Sequence, residues 1–239
     1  MKTIIFDVDD TLYDQALSFH KTFKSLIDPT YSYTDIDTIY RTSRQYSEIL
    51  FDQSEAGEIS VLEWQVGRIS KALADYDIQI NDEQALAFHA QYKDAQANIS
   101  LFPEVKELLN HLAQQDIQLA ILTNGEESHQ LMKINQLKLT NWIPMENIFV
   151  SGTYGIAKPK AGIFKIVEDK LQCEPGQTVY VGDSFEKDIV GAKQVGWHVL
   201  WMNHRKHEQP SNSSIKPDKV VDSAAELLRY FKETSFRRV

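Results

Sequence analysis

The chain has 239 residues, 42% of them hydrophobic, and its 25 Lys and Arg against 34 Asp and Glu leave a net charge of −9. That balance argues against binding nucleic acid or an anionic membrane surface through a broad basic face, and no apolar run approaches the roughly 18 residues of a membrane helix. The length accommodates one domain with a large insertion or two small ones, while a single cysteine, Cys173, excludes an intrachain disulfide framework and points to a reducing cytoplasm.

In chain order, TIIFDV reads as a short strand apolar on both faces, the pattern of a parallel strand covered by helices. Aspartate follows too early for this start to be a secretory leader. After Asp14 the texture becomes helical. DQALSFHKTFKSLI, DIDTIYRTSRQYSEILF, SVLEWQVGRISKALADY and NDEQALAFHAQYKDAQANI repeat apolar residues at intervals of three and four. Ser60 with Glu63, and Asn81 with Gln84, have the spacing of N-terminal caps, and a polar turn with Gly57 separates the second helix from the third.

From Leu101 the chain alternates between helix and strand. PEVKELLNHLAQQ is a helix with Pro103 in its first turn. QLAILTNG is a buried strand, NIFVSGTYG another, KAGIFKIVEDKL a helix, TVYVGDS a strand and EKDIVGAKQVG a helix ending at Gly196. WHVLWMN and KVV are strands on either side of the loop HRKHEQPSNSSIKP, and Ser223 with Glu226 caps a last helix, AAELLRYF. This alternation predicts an α/β fold with a doubly wound, Rossmann-like parallel sheet. Residues 1–13 and 99–239 form that core, and residues 14–98 form an inserted helical cap.

Ligands of such sheets sit at the carboxyl ends of the strands. There the sequence places Asp7-Val8-Asp9, Thr123-Asn124-Gly125, Lys158 within GIAKP, and Gly182-Asp183-Ser184. Carboxylates with a backbone carbonyl are hard ligands of the type that holds Mg2+ and leaves room for water and a phosphate oxygen. Alternation turns Asp7 and Asp9 the same way, so that one can be a nucleophile and the other a proton donor. Lys158 can neutralise a phosphate, and Thr123 and the amide of Asn124 can hydrogen-bond its oxygens.

In this order and separation, DVDDT, TNG, AKP and GDSFEKD resemble the four motifs of the haloacid dehalogenase-like (HAD) phosphohydrolases, with residues 14–98 in the place of that superfamily's C1 cap. The resemblance implies that Asp7 attacks phosphorus to form an aspartyl-phosphate and that Asp9 acts as general acid and then base. It implies that Asp7, the backbone carbonyl of Asp9, and Asp183 bind Mg2+, that Thr123 and Asn124 bind the phosphoryl group, and that Lys158 screens its charge. Asp188 would orient Lys158 or a metal-bound water. AGEISVLEWQVGRI and WMNHRKHEQP further resemble the pyrimidine 5′-nucleotidase branch, implying a small phosphate ester such as a pyrimidine nucleoside monophosphate as substrate. Alternatives within the fold are a broad sugar-phosphate phosphatase, a phosphoglucomutase or a dehalogenase. A dehalogenase has no need of an acid two residues after the nucleophile. A phospho-receiver module would carry its acceptor after the third strand, where SGTYG has no acid.

Other residues receive plainer readings. Asp10 is expected to cap the next turn, and Tyr13 to line the pocket or pack beneath the cap. His204, Arg205, Lys206 and His207 are expected to be solvated in their loop, and Trp64, Trp142, Trp197 and Trp201 to serve the core or an interface. Linkers near residues 13–14 and 99–101 are candidate hinges for a cap that admits substrate and then excludes water.

Overall fold

A computed structural model of the chain describes residues 2–211 and 213–233. Strand β1 (Thr3–Phe6) is buried along its whole length, so it needs neighbours on both edges and cover on both faces. It lies at the centre of a six-stranded parallel sheet ordered β3-β2-β1-β4-β5-β6. The other strands are β2 (Gln118–Thr123), β3 (Ile148–Val150), β4 (Thr178–Gly182), β5 (His198–Met202) and β6 (Lys219–Val221). Thr3 is in register with Gln118 of β2 on one side and with Thr178 of β4 on the other. Strand order thus reverses about β1, and the crevice beyond its carboxyl end is the natural ligand position of an open sheet.

The chain divides into two compact units, Met1–Asp14 with Ser100–Val239, and Gln15–Ile99. In the sheet unit, alternate residues of each strand face opposite sides. Ile5, Ala120, Leu122, Tyr180 and Val199 share one core with Ile163, Phe164 and Val167 of a helix at Ala161–Leu171, and with Trp197 and Trp201. Trp64 and Trp142 are only half-buried.

The helical unit consists of α1 (Ala16–Leu26), α2 (Tyr33–Glu55), α3 (Val61–Ala74) and α4 (Asp82–Gln96). Its core centres on Phe19, whose ring lies 5.2–6.4 Å from those of Phe23, Tyr40, Phe88 and Tyr92. Both expected capping boxes form, Ser60 with Glu63 and Asn81 with Gln84, and Gly57 takes a left-handed φ of 74° in the turn before α3.

Two sheet-unit segments depart from the sequence expectation. NIFVSGTYG is strand only to Val150; Ser151–Tyr154 is a helical turn, closed by left-handed Gly155. EKDIVGAKQVG does not start as an α-helix, because Phe185–Val190 winds as a π-helical turn before Gly191–Gln194 resumes α geometry. The amides of Asp188 and Ile189 both bond the Ser184 carbonyl, at 2.9 and 3.3 Å, and this wider winding accompanies a buried Asp188.

Candidate active site

The turn after β1 starts while still joined to the sheet, since the Asp7 amide donates to the Val181 carbonyl of β4 at 2.9 Å. Asp7 is 5% exposed, and a carboxylate so far from water needs a partner. Lys158 provides one. Its ammonium has three donors and three acceptors around it: Asp7 Oδ1 at 2.8 Å, Asp188 Oδ1 at 2.6 Å and the Tyr180 hydroxyl at 2.8 Å. Tyr180 in turn donates to the Leu122 carbonyl at 2.8 Å, and the second oxygen of Asp188 accepts from the Ser184 amide at 2.9 Å. Asp188 therefore fixes Lys158, while Lys158 faces Asp7.

Asn124 completes this mounting. Its side-chain oxygen accepts from the Lys158 amide and its nitrogen donates to the Lys158 carbonyl, both at 2.9 Å. The expectation for Asn124 concerned its backbone amide; its carboxamide is closed in a reciprocal pair that positions Lys158. Thr123 ends β2 and is buried at the same edge.

Asp183 lies at the end of β4 with its carbonyl held by the Trp201 indole at 2.7 Å. One oxygen from each of Asp7, Asp183 and Asp188 lies within 4.8 Å of the others. Desolvation and the charges of Asp188, Asp10 and Asp7 push Asp183 well above the usual carboxylate range. Burial, with Asp188 and Asp9 adding negative charge, pushes Asp7 up to about 7 in spite of Lys158. Against burial, Asp188 and Asp7 hold Lys158 above an ordinary lysine. Three clustered carboxylates share one cation, so the donor set fits a hard divalent ion such as Mg2+.

Asp9 is placed differently. Lys133 Nζ reaches both its oxygens, at 2.8 and 2.7 Å, Gln130 Nε2 donates at 3.2 Å, and the Tyr13 hydroxyl donates to it as well. These contacts, Lys133 foremost, overcome burial and keep its carboxyl below the usual range. Any share of Asp9 in a cation site falls to its backbone carbonyl. Neither reading of Tyr13 named this use of its hydroxyl. Lys133 and Gln130 were missed altogether. The signal was present in ESHQLMKINQ: on the helix Glu127–Gln136, Gln130 and Lys133 occupy buried positions beside Ile134, where an amphipathic pattern wants apolar residues.

The C-terminal loop corrects a further reading, and Asp10 finds partners in it. Asp10 adopts φ 54°, a left-handed conformation that aspartate tolerates better than most residues. Its carboxylate receives Arg205 bidentately, at 3.0 and 2.7 Å, and Arg205 also binds Asp14. His204 Nε2 lies 3.0 Å from the Asp10 carbonyl. His204 and Arg205 are thus packed against the turn that follows the nucleophile candidate, whereas Lys206 and His207 are exposed as expected.

A family model of haloacid dehalogenase-like hydrolases matches residues 1–196. A glyceraldehyde 3-phosphate phosphatase of Methanopyrus kandleri is 25% identical over 98% of both chains. The pyrimidine 5′-nucleotidase YjjG of Escherichia coli is 27% identical over 94% of this chain and 95% of its own. Among solved structures, the magnesium-bound HAD-hydrolase YfnB of Bacillus subtilis superposes with a TM-score of 0.70 at 26% identity, covering 96% of this chain and 97% of that one.

Proposed function

The chain belongs to the haloacid dehalogenase-like hydrolases, and from that premise we propose that it is a Mg2+-dependent phosphomonoester hydrolase working through an aspartyl-phosphate on Asp7. One observation carries the reading: a buried carboxylate held 2.8 Å from a lysine, at the edge of an acid cluster whose charge calls for a cation. The M. kandleri and E. coli relatives, by name a phosphatase and a 5′-nucleotidase, support it.

In this reading an oxygen of Asp7 attacks phosphorus and the bond from phosphorus to the ester oxygen breaks. Asp9 delivers its proton to the departing oxygen, then takes one from the water that cleaves the acyl phosphate, releasing phosphate and restoring Asp7. Lys158, fixed by Asp188 and Tyr180, steadies the nucleophile and offsets the charge gathering on the phosphoryl oxygens. When bound among Asp7, Asp183 and the Asp9 carbonyl, Mg2+ supplies Lewis-acid polarisation of a phosphoryl oxygen and relieves repulsion among the acids. Thr123 and the Asn124 backbone amide face the phosphoryl group, and Asp188 acts by positioning Lys158. Asp9 rests as a carboxylate on Lys133, so acid catalysis requires it to leave that partner and take up a proton. Replacing Asp9 by Asn should lower kcat by ~10²–10⁴, most for esters of poor leaving groups, in steady-state phosphate release. Equal losses for good and poor leaving groups would remove Asp9 from the acid role.

For the substrate we favour pyrimidine nucleoside 5′-monophosphates, with residues 14–98 as the cap that selects them. Support comes from the nucleotidase relative and from the HRKHEQP loop, whose His204 and Arg205 hold the turn after Asp9. The sugar-phosphate reading is favoured by the M. kandleri relative. A phosphate-release screen with Mg2+ over pyrimidine nucleotides, glyceraldehyde 3-phosphate and hexose phosphates separates these readings. Isomer in place of free phosphate from a hexose 1-phosphate would make the enzyme a mutase. Among the described residues no helix is long and apolar enough to cross a membrane, and the single cysteine supports a cytoplasmic location.

A further inference from the structure

Within the helical unit, all four helices line a narrow cleft containing Tyr40, Ser43 and Arg44 of α2, Gln65 and Arg68 of α3, and His89 of α4. Its enclosed part is about the size of one water molecule. Such a space receives the end of a ligand rather than a whole one.

The charges in this cleft are unusual for an acidic protein. Arg68 is half-buried, and among the described residues no carboxylate pairs with it. Its guanidinium instead lies 5.6 Å from the ring centre of Tyr92 and 6.0 Å from that of Trp64. Those rings orient the cation and supply part of what water would give, but they accept no hydrogen bond in the guanidinium plane. Arg44, which lies 3.6 Å from Glu48, brings a second positive charge to the same cleft. Burial and Arg44 together disfavour the charged form of Arg68, against the opposing influence of the nearby tyrosines. His89 adds an independent sign: its Nδ1 is buried and has no hydrogen-bond partner among the described residues. A buried polar nitrogen left this way costs stability unless something comes to meet it.

We infer that this cleft binds a small oxyanion, the carboxylate or phosphoryl end of a ligand, with Arg68 as its charge partner and His89 as a second contact. The planar fork of Arg68 suits two oxygens at once, and the flanking rings hold it ready for them. The anion has two possible sources, a second charged group on the substrate or a separate effector.

Trp64 makes the site readable. The full-length enzyme, in EDTA, is titrated with sodium phosphate against sodium chloride at matched ionic strength while tryptophan emission is followed. A saturable change carried by Trp64 is expected, with its midpoint raised about tenfold in Arg68→Met and less in Arg68→Lys, which keeps the charge. An unchanged midpoint in Arg68→Met, or a signal that survives Trp64→Phe in full, overturns the inference. Should Arg68→Met not fold, His89→Leu on a separate helix takes its place, with a midpoint raised about threefold; no change there is equally fatal. The titration needs no turnover, so it succeeds or fails apart from the phosphatase reading. Kinetics then identify the source. A loss in Arg68→Met of about tenfold in kcat/KM, confined to esters bearing a second anionic group and absent for p-nitrophenyl phosphate, assigns the cleft to the substrate. Equal kinetics for both ester types, with the phosphate midpoint still shifted, assign it to a separate anion; either result upholds the site.

Discussion

In the sheet unit, cations and acids interlock: Lys158 serves Asp7 and Asp188, Lys133 serves Asp9, and Arg205 serves Asp10 and Asp14. The centre of the helical unit is instead the ring cluster around Phe19, and its half-buried Arg68 rests on aromatic faces. One unit is organised by directional contacts that leave its groups little freedom, which suits a place where atoms must meet in a fixed geometry. The other is organised by non-directional packing, which tolerates change in its side chains. A residue's consequence should therefore depend on its unit: substitutions among the interlocked charges of the first should cost chemistry, stability or both, and those in the second should leave the chemistry intact.

Four single substitutions and one double mutant test that division. Asp7→Asn, nearly isosteric, should reduce phosphate release by ~10⁴ or more while leaving the urea midpoint close to wild type; substantial residual turnover would show that charge at this edge serves the fold instead. Arg205→Met leaves the buried Asp10 carboxylate without its bidentate partner and should cost about 3–5 kcal/mol in chemical denaturation. An Asp10→Asn, Arg205→Met double mutant should recover part of that loss, as coupled partners do. Gly182→Ala is subtler. A Cβ there would stand 2.4 Å from Asp188 Oδ2, whose carboxylate is held by Lys158 and the Ser184 amide and cannot swing away freely. Its expected cost is about 1–3 kcal/mol, with kcat falling because Lys158 loses its orientation. The smallest effect belongs to the helical unit: Ser60→Ala removes one capping contact and about 1 kcal/mol, with kcat unchanged. A comparable fall in kcat for Gly182→Ala and Ser60→Ala would erase the distinction between the units.

Much of this arrangement was legible in the sequence, for local reasons. Ser60 and Glu63, or Asn81 and Gln84, meet within one turn, so their spacing alone announces a helix start. Strand ends in a doubly wound sheet gather on one edge whatever lies between them, so Asp7, Thr123, Lys158 and Asp183 could be placed together from their positions after apolar runs. What escaped depends on distance along the chain. Lys133 reaches Asp9 across 124 positions and Arg205 reaches Asp10 across 195, and a lysine in an amphipathic helix or an arginine in a polar loop looks like any other. Tyr180 is similar: as a strand residue it reads as core, and nothing local says that its hydroxyl seats Lys158. The π-helical turn at Phe185–Val190 was hidden because residue spacing there is compatible with ordinary helix. The side chain of Asn124 was the hidden part, since its carboxamide pairs with the Lys158 backbone while its own amide stays the group assigned to phosphate. A side chain can be near a phosphate position and still be committed elsewhere.

The bond between Arg205 and Asp10 also has a temporal side. During synthesis, β1 and Asp7 leave the ribosome before the helical insertion, and the arginine that fastens the turn emerges only after β5 is complete. The span matched to the family ends at residue 196, ahead of that arginine. A nascent or prematurely terminated chain could thus carry Asp7, Asp9, Lys158, Asp183 and Asp188 and still have an unfastened loop beside them. The contact that fastens this turn is thus among the last that the growing chain can make.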